Sequence, residues 1–121
     1  MFPPAQGSIL QRYNAVNKHL AVKIALTNNT PIKAVAAGTI IFSDWTPSSG
    51  YVVIVRHKDD ILSVYKNAAS VTKSQGNIVR SGEVIALAGN ANNVQNSGAT
   101  LHFELWKDGF PIDPTQFINF N

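Results

Sequence analysis

Short runs in which apolar and polar residues alternate dominate this chain, and the clearest of them extends from Thr100 to Trp106. Successive side chains of a β-strand point to opposite faces, so a period of two residues predicts a strand with one apolar and one polar face. The apolar face consists of Leu101, Phe103 and Leu105, and the polar face consists of Thr100, His102, Glu104 and Trp106. The first face predicts core residues. The second presents an imidazole and a carboxylate together, although a histidine on a strand is most often a hydrogen-bonded or surface residue.

The same alternation predicts several further strands. Residues His19–Leu26 alternate cleanly, Ile32–Phe42 is rich in β-formers with Gly38 marking a bend, and the β-branched run Tyr51–Arg56 is typical of a strand buried on both faces. Ile61–Tyr65 is expected to return as its hairpin partner. Shorter apolar runs separated by glycine turns lie at residues 71–76, 79–82 and 83–88. Short strands at this spacing, without a helical period, indicate an all-β sandwich or barrel.

The segments between these runs have the composition of loops. Residues 1–18 are expected to be an extended lead-in that belongs to the domain formed by residues 19–121. Asp44–Gly50 and Asn90–Gly98 are predicted loops, and the second leads directly into the strand that carries His102. Loops in such positions commonly form binding sites. After that strand, two prolines in residues 107–114 exclude a central strand.

Composition limits the class of protein. The 121 residues are 45% hydrophobic and 14% charged, which is typical of one folded domain and unlike a disordered tail. No apolar run reaches the ~18 residues of a membrane span, and the N-terminus has no signal-peptide pattern. Because the chain opens with Met-Phe-Pro-Pro, we expect it to be a fragment of a longer envelope protein whose localisation signal lies elsewhere.

Charge and cysteine content exclude further classes of site. The chain has no cysteine, so it has neither disulfides nor a thiolate metal site. Its net charge of +3 is spread over single basic residues. This pattern does not predict nucleic-acid binding, which usually shows a basic stripe or a stacking motif, but it favours weak attraction to acidic partners such as cell-wall polymers or anionic membranes.

Six motifs then follow one another in the order found in one protein family: HLAVKIA, TPIKAVAAGTI, GYVVIVRH, SVYKNAA, IVRSGEVIALAGN and TLHFELWKDGFPIDPTQFI. Over residues 5–120 the chain resembles the lysostaphin-type, LytM-like zinc metallopeptidases. The resemblance implies a largely antiparallel β-domain of the duplicated hybrid motif, barrel-sandwich type. It also implies a groove over one sheet, in which peptidoglycan peptides lie, and a location in the periplasm or extracellular cell envelope.

The residues that match the family's catalytic site differ from those of its active members. By resemblance, His19 and His102 match two zinc ligands, but Lys23 stands where the family has the third ligand, an aspartate. Asn67 and Thr100 replace the two catalytic histidines. The resemblance is therefore to the degenerate branch of the family, which includes activators of murein hydrolases.

These replacements argue against both zinc binding and catalysis. To ligate a metal, Lys23 would have to lose a proton against a reference pKa of about 10.4. We expect its ammonium to take the metal's place and to donate hydrogen bonds toward His19, His102 or Glu104. Neither asparagine nor threonine transfers protons near neutral pH, so general acid-base catalysis has no agent. We therefore expect no zinc cofactor and no catalytic residue.

Two local expectations accompany this hypothesis. His19 and Lys23 are four residues apart, about 13 Å on a regular strand, so their side chains meet only if the backbone bends. The third histidine, His57, is expected to be a surface residue at the end of a hairpin.

Three functions are open at this stage. The favoured one is a catalytically inactive domain that binds in cell-wall remodelling and activates or scaffolds a peptidoglycan hydrolase, typically an amidase. The second is a zinc-dependent peptidoglycan endopeptidase with an unorthodox site. The third is a direct peptidoglycan-binding module that stacks sugars on Trp45, Tyr51 and Trp106, although these aromatics more simply fill the core or a loop base. A resemblance of residues 71–89 to biotinyl and lipoyl carrier hairpins is set aside, because the modified lysine of their tight turn is missing.

Overall fold

The computed structural model of the chain describes residues 1–89 and 98–120. Within them the regular structure is eleven β-strands and one short 3-10 helix, Pro114–Gln116, which confirms the all-β prediction. The predicted loop Asn90–Gly98 lies outside the described residues except for Gly98. The strands are β1 Ser8–Gln11, β2 Val22–Leu26, β3 Pro31–Lys33, β4 Gly38–Thr46, β5 Gly50–Arg56, β6 Ile61–Ala68, β7 Ser70–Val71, β8 Ile78–Val79, β9 Val84–Leu87, β10 Ala99–Lys107 and β11 Phe110–Ile112.

The strands form two antiparallel sheets. The larger sheet has eight strands, in the order β1-β2-β10-β6-β5-β4-β8, with β11 also pairing with β10. The smaller sheet has the order β3-β9-β7. Although β2 and β10 lie near opposite ends of the chain, they are direct neighbours, and β6 lies on the other side of β10. Residues from three distant segments therefore adjoin on the faces of β10.

The core contains residues of both sheets and includes the predicted apolar face of β10. Leu101, Phe103 and Leu105 are each 0% exposed. Burying side chains of this size contributes about 2–3 kcal/mol each. The Phe103 ring meets the Tyr65 ring edge-to-face, with centroids 5.3 Å apart, a favoured aromatic geometry. This packing fixes the face of β10 that points inward, and so it fixes the opposite, polar face as well.

The strand predicted for His19–Leu26 begins later than expected. Regular pairing starts at Val22, because the chain bends at Ala21, whose side chain is 1% exposed. The bend separates His19 from the strand that carries Lys23. By contrast, the strand Tyr51–Arg56 is observed as part of β5.

Two other predicted boundaries were wrong. The β-rich stretch Ile32–Phe42 divides into parts of β3 and β4, which belong to different sheets. The predicted loop Asp44–Gly50 is mostly strand, because β4 and β5 stay paired up to Thr46 opposite Gly50. The turn-forming residues of this hairpin set where it reverses, whereas cross-strand pairing sets how far its strands extend.

The lead-in contributes an edge strand to the larger sheet. β1 pairs with β2, and two backbone hydrogen bonds of 2.8 Å join Phe2 N to Val35 O and Lys33 N to Pro4 O. That residues 1–18 belong to the same domain as residues 19–121 remains our prediction, and these contacts support it. No helix among the described residues is long and apolar enough to cross a membrane.

Candidate functional site

The polar faces of β2, β10 and β6 adjoin on one side of the larger sheet. Their register places Lys23 directly opposite His102, and His102 directly opposite Lys66. Directly opposed residues of an antiparallel pair project from the same face, with Cβ atoms about 5 Å apart. The imidazole of His102 therefore belongs to a row in which it has a lysine on each side.

Glu104 connects three neighbouring side chains at this site. Its Oε2 accepts hydrogen bonds from His102 Nε2 and Lys66 Nζ, and its Oε1 accepts one from Trp106 Nε1, each at 2.9 Å. Burial raises the pKa of the Glu104 carboxyl, but the hydrogen bonds from these neighbours more than offset burial and lower that pKa to about 2. Glu104 is therefore ionised at neutral pH, and both of its oxygens are engaged.

The cation that pairs with Glu104 is Lys66, and the expectation that Lys23 donates to His19, His102 or Glu104 was wrong. Lys23 Nζ makes no hydrogen bond or ion pair with any described residue. Both lysines lie opposite His102, so the register lets either of them approach Glu104, and the ammonium that does so is that of Lys66.

The bend at Ala21 brings His19 close to His102. Asn14 and His19 form an isolated bridge, with backbone hydrogen bonds of 2.8 and 2.9 Å, and His19 Nδ1 donates to the carbonyl oxygen of Arg12 at 2.9 Å. The rings of His19 and His102 stand edge-to-face with centroids 6.2 Å apart. A bend between His19 and Lys23, which the four-residue spacing requires if their side chains are to meet, is therefore present, and it brings His19 next to His102.

The partners of these histidines fix the tautomer of each neutral ring. A carbonyl and a carboxylate only accept hydrogen bonds, so the proton lies on Nδ1 of His19 and on Nε2 of His102. The other nitrogen of each ring keeps its lone pair. Such outer hydrogen bonds are typical of histidines that bind zinc.

The donor set nevertheless does not fit a catalytic zinc, which needs three protein donors and an open position. His19 and His102 are two donors. The group opposite His102 is the ammonium of Lys23, which has no free lone pair, and the oxygens of Glu104 already accept hydrogen bonds. No group of three or more His, Cys, Asp or Glu side chains in the described part of the chain is arranged to hold a metal ion.

Asn67 and Thr100 are hydrogen-bonded to each other. Asn67 Nδ2 donates to Thr100 Oγ1 at 2.7 Å and to its carbonyl oxygen at 3.2 Å. The backbone of Asn67 is left-handed, with φ 73°, a conformation that asparagine tolerates better than most residues. Its N–H donates to Ser49 O at 2.7 Å, and Gly50, with φ 63°, follows directly. These contacts attach the β4–β5 turn to the site.

A cavity of about 260 Å³ opens beside this row. His19 borders a different cavity, of about 600 Å³, next to β1. The structure therefore places His19 and Lys23 on separate cavities. The residues that line the smaller cavity are Lys23, Ser48, Ser49, Lys66, Asn67, Thr100 and His102.

The three candidate aromatics do not share one surface. Trp106 lies on the polar face of β10 and donates to Glu104. Tyr51 packs against the core, and Trp45 lies directly opposite it on β4, with 55% of its surface exposed. Strand alternation therefore puts Trp45 and Tyr51 on the opposite side of the sheet from Trp106.

The expectation that His57 is a surface residue was wrong, since it is only 7% exposed. Its Nδ1 contacts Ala37 O at 2.8 Å, its Nε2 contacts Ser63 Oγ at 2.7 Å, and Ser63 Oγ contacts Tyr65 OH at 2.9 Å. Burial lowers the pKa of His57, partly offset by the hydrogen bond to Ala37 O. Ser63 is 0% exposed, so this network is structural and offers no accessible nucleophile.

Sequence reasoning missed Lys66, Ser48 and Ser49 as site residues. A signal for Lys66 was present, because it follows the buried Tyr65 and therefore faces the other side of its strand. The two serines were not named individually, although they lie in the loop Asp44–Gly50 that was expected to flank the site; the pairing of β4 with β5 and the Asn67 to Ser49 hydrogen bond bring their turn there.

Comparison with known proteins assigns the family. The profile of peptidase family M23 matches residues 17–114 of this 121-residue chain. The chain therefore belongs to peptidase family M23, and the resemblance to the lysostaphin-type, LytM-like domain is confirmed.

The curated relatives include both an activator and an enzyme. Stage II sporulation protein Q of Bacillus subtilis is 34% identical over 88 residues, 73% of this chain and 31% of that protein. Murein hydrolase activator EnvC of Escherichia coli is 32% identical over 121 residues, 97% of this chain and 28% of that protein. DD-carboxypeptidase/endopeptidase Mpg of Neisseria meningitidis is 32% identical over 96 residues, 79% of this chain and 22% of that protein. The chain thus spans less than a third of each relative.

Solved structures share the fold. Csd3 of Helicobacter pylori matches 98% of this chain and 33% of its own, with a TM-score of 0.85 and 22% identity. Lysostaphin of Staphylococcus simulans matches 92% of this chain and 48% of its own, with a TM-score of 0.76 and 21% identity. The SpoIIQ-SpoIIIAH pore forming complex contains a chain that is 31% identical, with a TM-score of 0.72, over 82% of this chain and 64% of its own.

Proposed function

We propose that this chain is a catalytically inactive LytM-like domain that acts by binding in cell-wall remodelling, and that it activates or scaffolds a peptidoglycan amidase. The observation that carries the proposal is the donor set around His102. A lysine stands directly opposite this imidazole, at the position that the resemblance assigns to the third zinc ligand. Without a third metal donor, the described residues of the site offer no metal-bound water that could become a hydroxide nucleophile.

The positions that resemble those of the catalytic histidines support the same function. Asn67 and Thr100 hydrogen-bond to each other at 2.7 Å, and neither side chain exchanges a proton near neutral pH. Glu104 is ionised but already accepts three hydrogen bonds, so it is a poor general base. The site therefore retains the capacity to bind a ligand, whereas its two imidazoles, His19 and His102, lack among the described residues the third donor that a hydrolytic metal needs.

The relatives support a protein partner and an envelope location. One is named for the activation of murein hydrolases, and another is the namesake of a chain solved in complex with a second protein. Because murein lies in the cell envelope, we infer that this domain acts in the periplasm or outside the cell. Direct contact with peptidoglycan belongs to the same proposal.

The alternative, a zinc endopeptidase with an unorthodox site, has one observation in its favour. His19 and His102 each keep a lone-pair nitrogen, held by an outer hydrogen bond, with ring centroids 6.2 Å apart. A relative named as an endopeptidase shares this family. The experiment below separates the two functions.

The test measures hydrolysis of purified, dye-labelled sacculi by three samples: the domain alone, an amidase of the same organism alone, and both together. We expect no release by the domain alone and faster release by the amidase when the domain is present. Chromatography of the products identifies the bond that is cut. New peptide termini produced by the domain alone, and abolished by a chelator, would establish the endopeptidase function instead.

A further inference from the structure

The cavity beside β2, β10 and β6 carries an unmatched positive charge. Glu104 pairs with Lys66 at 2.9 Å and so balances that cation. Lys23 lines the same cavity, but its Nζ has no ion-pair or hydrogen-bond partner among residues 1–89 and 98–120. Its side chain is half-buried. A partly desolvated ammonium without a counter-charge favours the entry of an anion.

The neighbouring polar groups are able to donate hydrogen bonds to such an anion. Thr100 Oγ1 accepts from Asn67 Nδ2, so the hydroxyl hydrogen of Thr100 is left to donate elsewhere. Ser48 and Ser49 also line the cavity, and neither hydroxyl is hydrogen-bonded to another described residue. A carboxylate accepts about four hydrogen bonds, so this set of donors matches it.

We propose that this cavity is a carboxylate-binding site and that it takes the side chain of an aspartate or glutamate on the partner amidase. This inference rests on the function proposed above and names the chemistry by which the partner is recognised. Two lysines beside one engaged carboxylate leave a net charge of about +1, which balances a single carboxylate better than a dianionic phosphate.

The size and lining of the cavity favour a protein side chain over a peptidoglycan peptide. A water molecule occupies about 30 Å³ of liquid, so a cavity of about 260 Å³ has room for a carboxylate with its methylene groups. Every residue of its lining is polar, including Lys23, Lys66 and His102. A side-chain carboxylate enters such a cavity with its methylene groups alone, whereas the terminal carboxylate of a peptidoglycan stem brings the peptide backbone beside it.

The first experiment tests the site without any partner protein. The amide NMR spectrum of the domain is recorded during titration with N-acetyl-glutamate methylamide and, separately, with its glutamine counterpart, at low ionic strength. Only the acidic ligand is expected to shift residues around Lys23 and His102. Lys23→Gln should weaken this binding about three- to tenfold, and salt near 0.5 M should weaken it as well. The matched control Lys58→Gln, an exposed lysine of the β5–β6 turn, should bind normally.

An equal response to both ligands, or full binding by Lys23→Gln, overturns the carboxylate site. Because the unchanged residues of Lys23→Gln give their own amide signals, a spectrum with native dispersion shows that the variant is folded. If it is not folded, Lys23→Arg, which keeps the charge, and Lys23→Met, which removes the charge but keeps a long side chain, supply the comparison. Binding retained in the first and lost in the second supports the site, and the reverse order overturns it.

The second experiment identifies the occupant with the sacculus assay. Activation of the amidase is expected to fall three- to tenfold with Lys23→Gln and to be retained with Lys23→Arg. Undiminished activation by Lys23→Gln overturns the proposed occupant but leaves the activator function intact. Absence of any activation by the unmodified domain contradicts the activator function itself. Binding of soluble muropeptides that depends on Lys23 and is tighter than binding of the glutamate ligand overturns the amidase side chain as occupant, in favour of peptidoglycan.

Discussion

Replacing Glu104 with glutamine removes the charge on which three hydrogen bonds converge. Glu104→Gln keeps the shape of the side chain, but it leaves the ammonium of Lys66 without its anion and weakens the contacts with His102 and Trp106. The carboxyl is 12% exposed, whereas Lys66 and His102 are 33% and 36% exposed. In Glu104→Gln the ammonium of Lys66 is therefore readily solvated. A buried Glu104 carboxylate that lost its partners would be solvated less easily.

The magnitude follows from the pKa of Glu104, which is lowered from 4.5 to about 2. Each tenfold change in proton affinity is worth about 1.4 kcal/mol, so the full difference corresponds to about 3 kcal/mol at neutral pH. Solvent screening of the exposed partners reduces this figure, and we expect Glu104→Gln to lower the free energy of unfolding by about 1–2 kcal/mol at pH 7. The contribution of Glu104 is fully present above pH 4.5 and is lost as the pH falls toward the folded-state pKa near 2.

Urea denaturation at pH 7 and pH 3 measures both effects. The difference between the unmodified domain and Glu104→Gln is expected to be large at pH 7 and clearly smaller at pH 3. A matched control is Glu83→Gln, which removes an ion pair of the same 2.9 Å length with Lys73; the side chain of Glu83 is 33% exposed, so the effect should be much smaller. A difference that does not shrink on acidification would show that the Glu104 charge does not stabilise the fold.

Three further predictions concern other parts of the chain. Asn67→Ala is expected to lower the urea stability by about 1–2 kcal/mol, because alanine loses the hydrogen bonds to Thr100 and tolerates the φ of 73° poorly; equal stability would contradict this. The stability due to the neutral His57 is fully present above its unfolded-state pKa of 6.5 and is lost as the pH falls toward its lower folded-state pKa. The free energy of unfolding, measured in urea, should therefore fall less steeply between pH 7.5 and pH 5.5 in His57→Asn than in the unmodified domain. Elemental analysis after exposure to zinc and desalting should find much less than one equivalent of zinc per domain. One full equivalent of retained zinc that is lost in His102→Ala would refute the claim that the site lacks a third zinc ligand.

The parts of the fold that sequence predicted well are those governed by local alternation. β10 was predicted with its inner and outer faces correct, because three apolar residues at a period of two lie on the same face of a strand and are buried together when that face packs against the core. The row of Lys23, His102 and Lys66 depends instead on the pairing of β10 with two distant strands. Local alternation shows that Lys66 faces away from the core, but it does not contain the register that puts Lys66 beside His102 and Glu104.

His57 shows the same limit in another form. A histidine at the end of a hairpin is usually exposed, but here the chain before β4 covers it, and Ala37 O accepts a hydrogen bond from its ring. A Cβ on Gly38 would lie 3.0 Å from His57 Nδ1 and 2.4 Å from Arg56 O. The glycine that sequence interpreted as a bend is therefore also a position where β4 comes close to Arg56 and His57. The sequence does not predict this close contact, because it depends on how β4 and β5 are placed in three dimensions.

The contacts of the site separate residues that the fold requires from residues that are available to a ligand. A carboxylate as buried as Glu104 is costly unless it is paired, so its hydrogen bonds to Lys66, His102 and Trp106 contribute to folding whether or not a ligand binds. Lys23 has no such role, since no described residue pairs with its ammonium. A residue that contributes little to the stability of a half-buried site, yet carries its unbalanced charge, is the one on which recognition should depend. Loss of binding without loss of stability in Lys23→Gln, and loss of stability in Glu104→Gln, would therefore distinguish the two roles within a single row of the sheet.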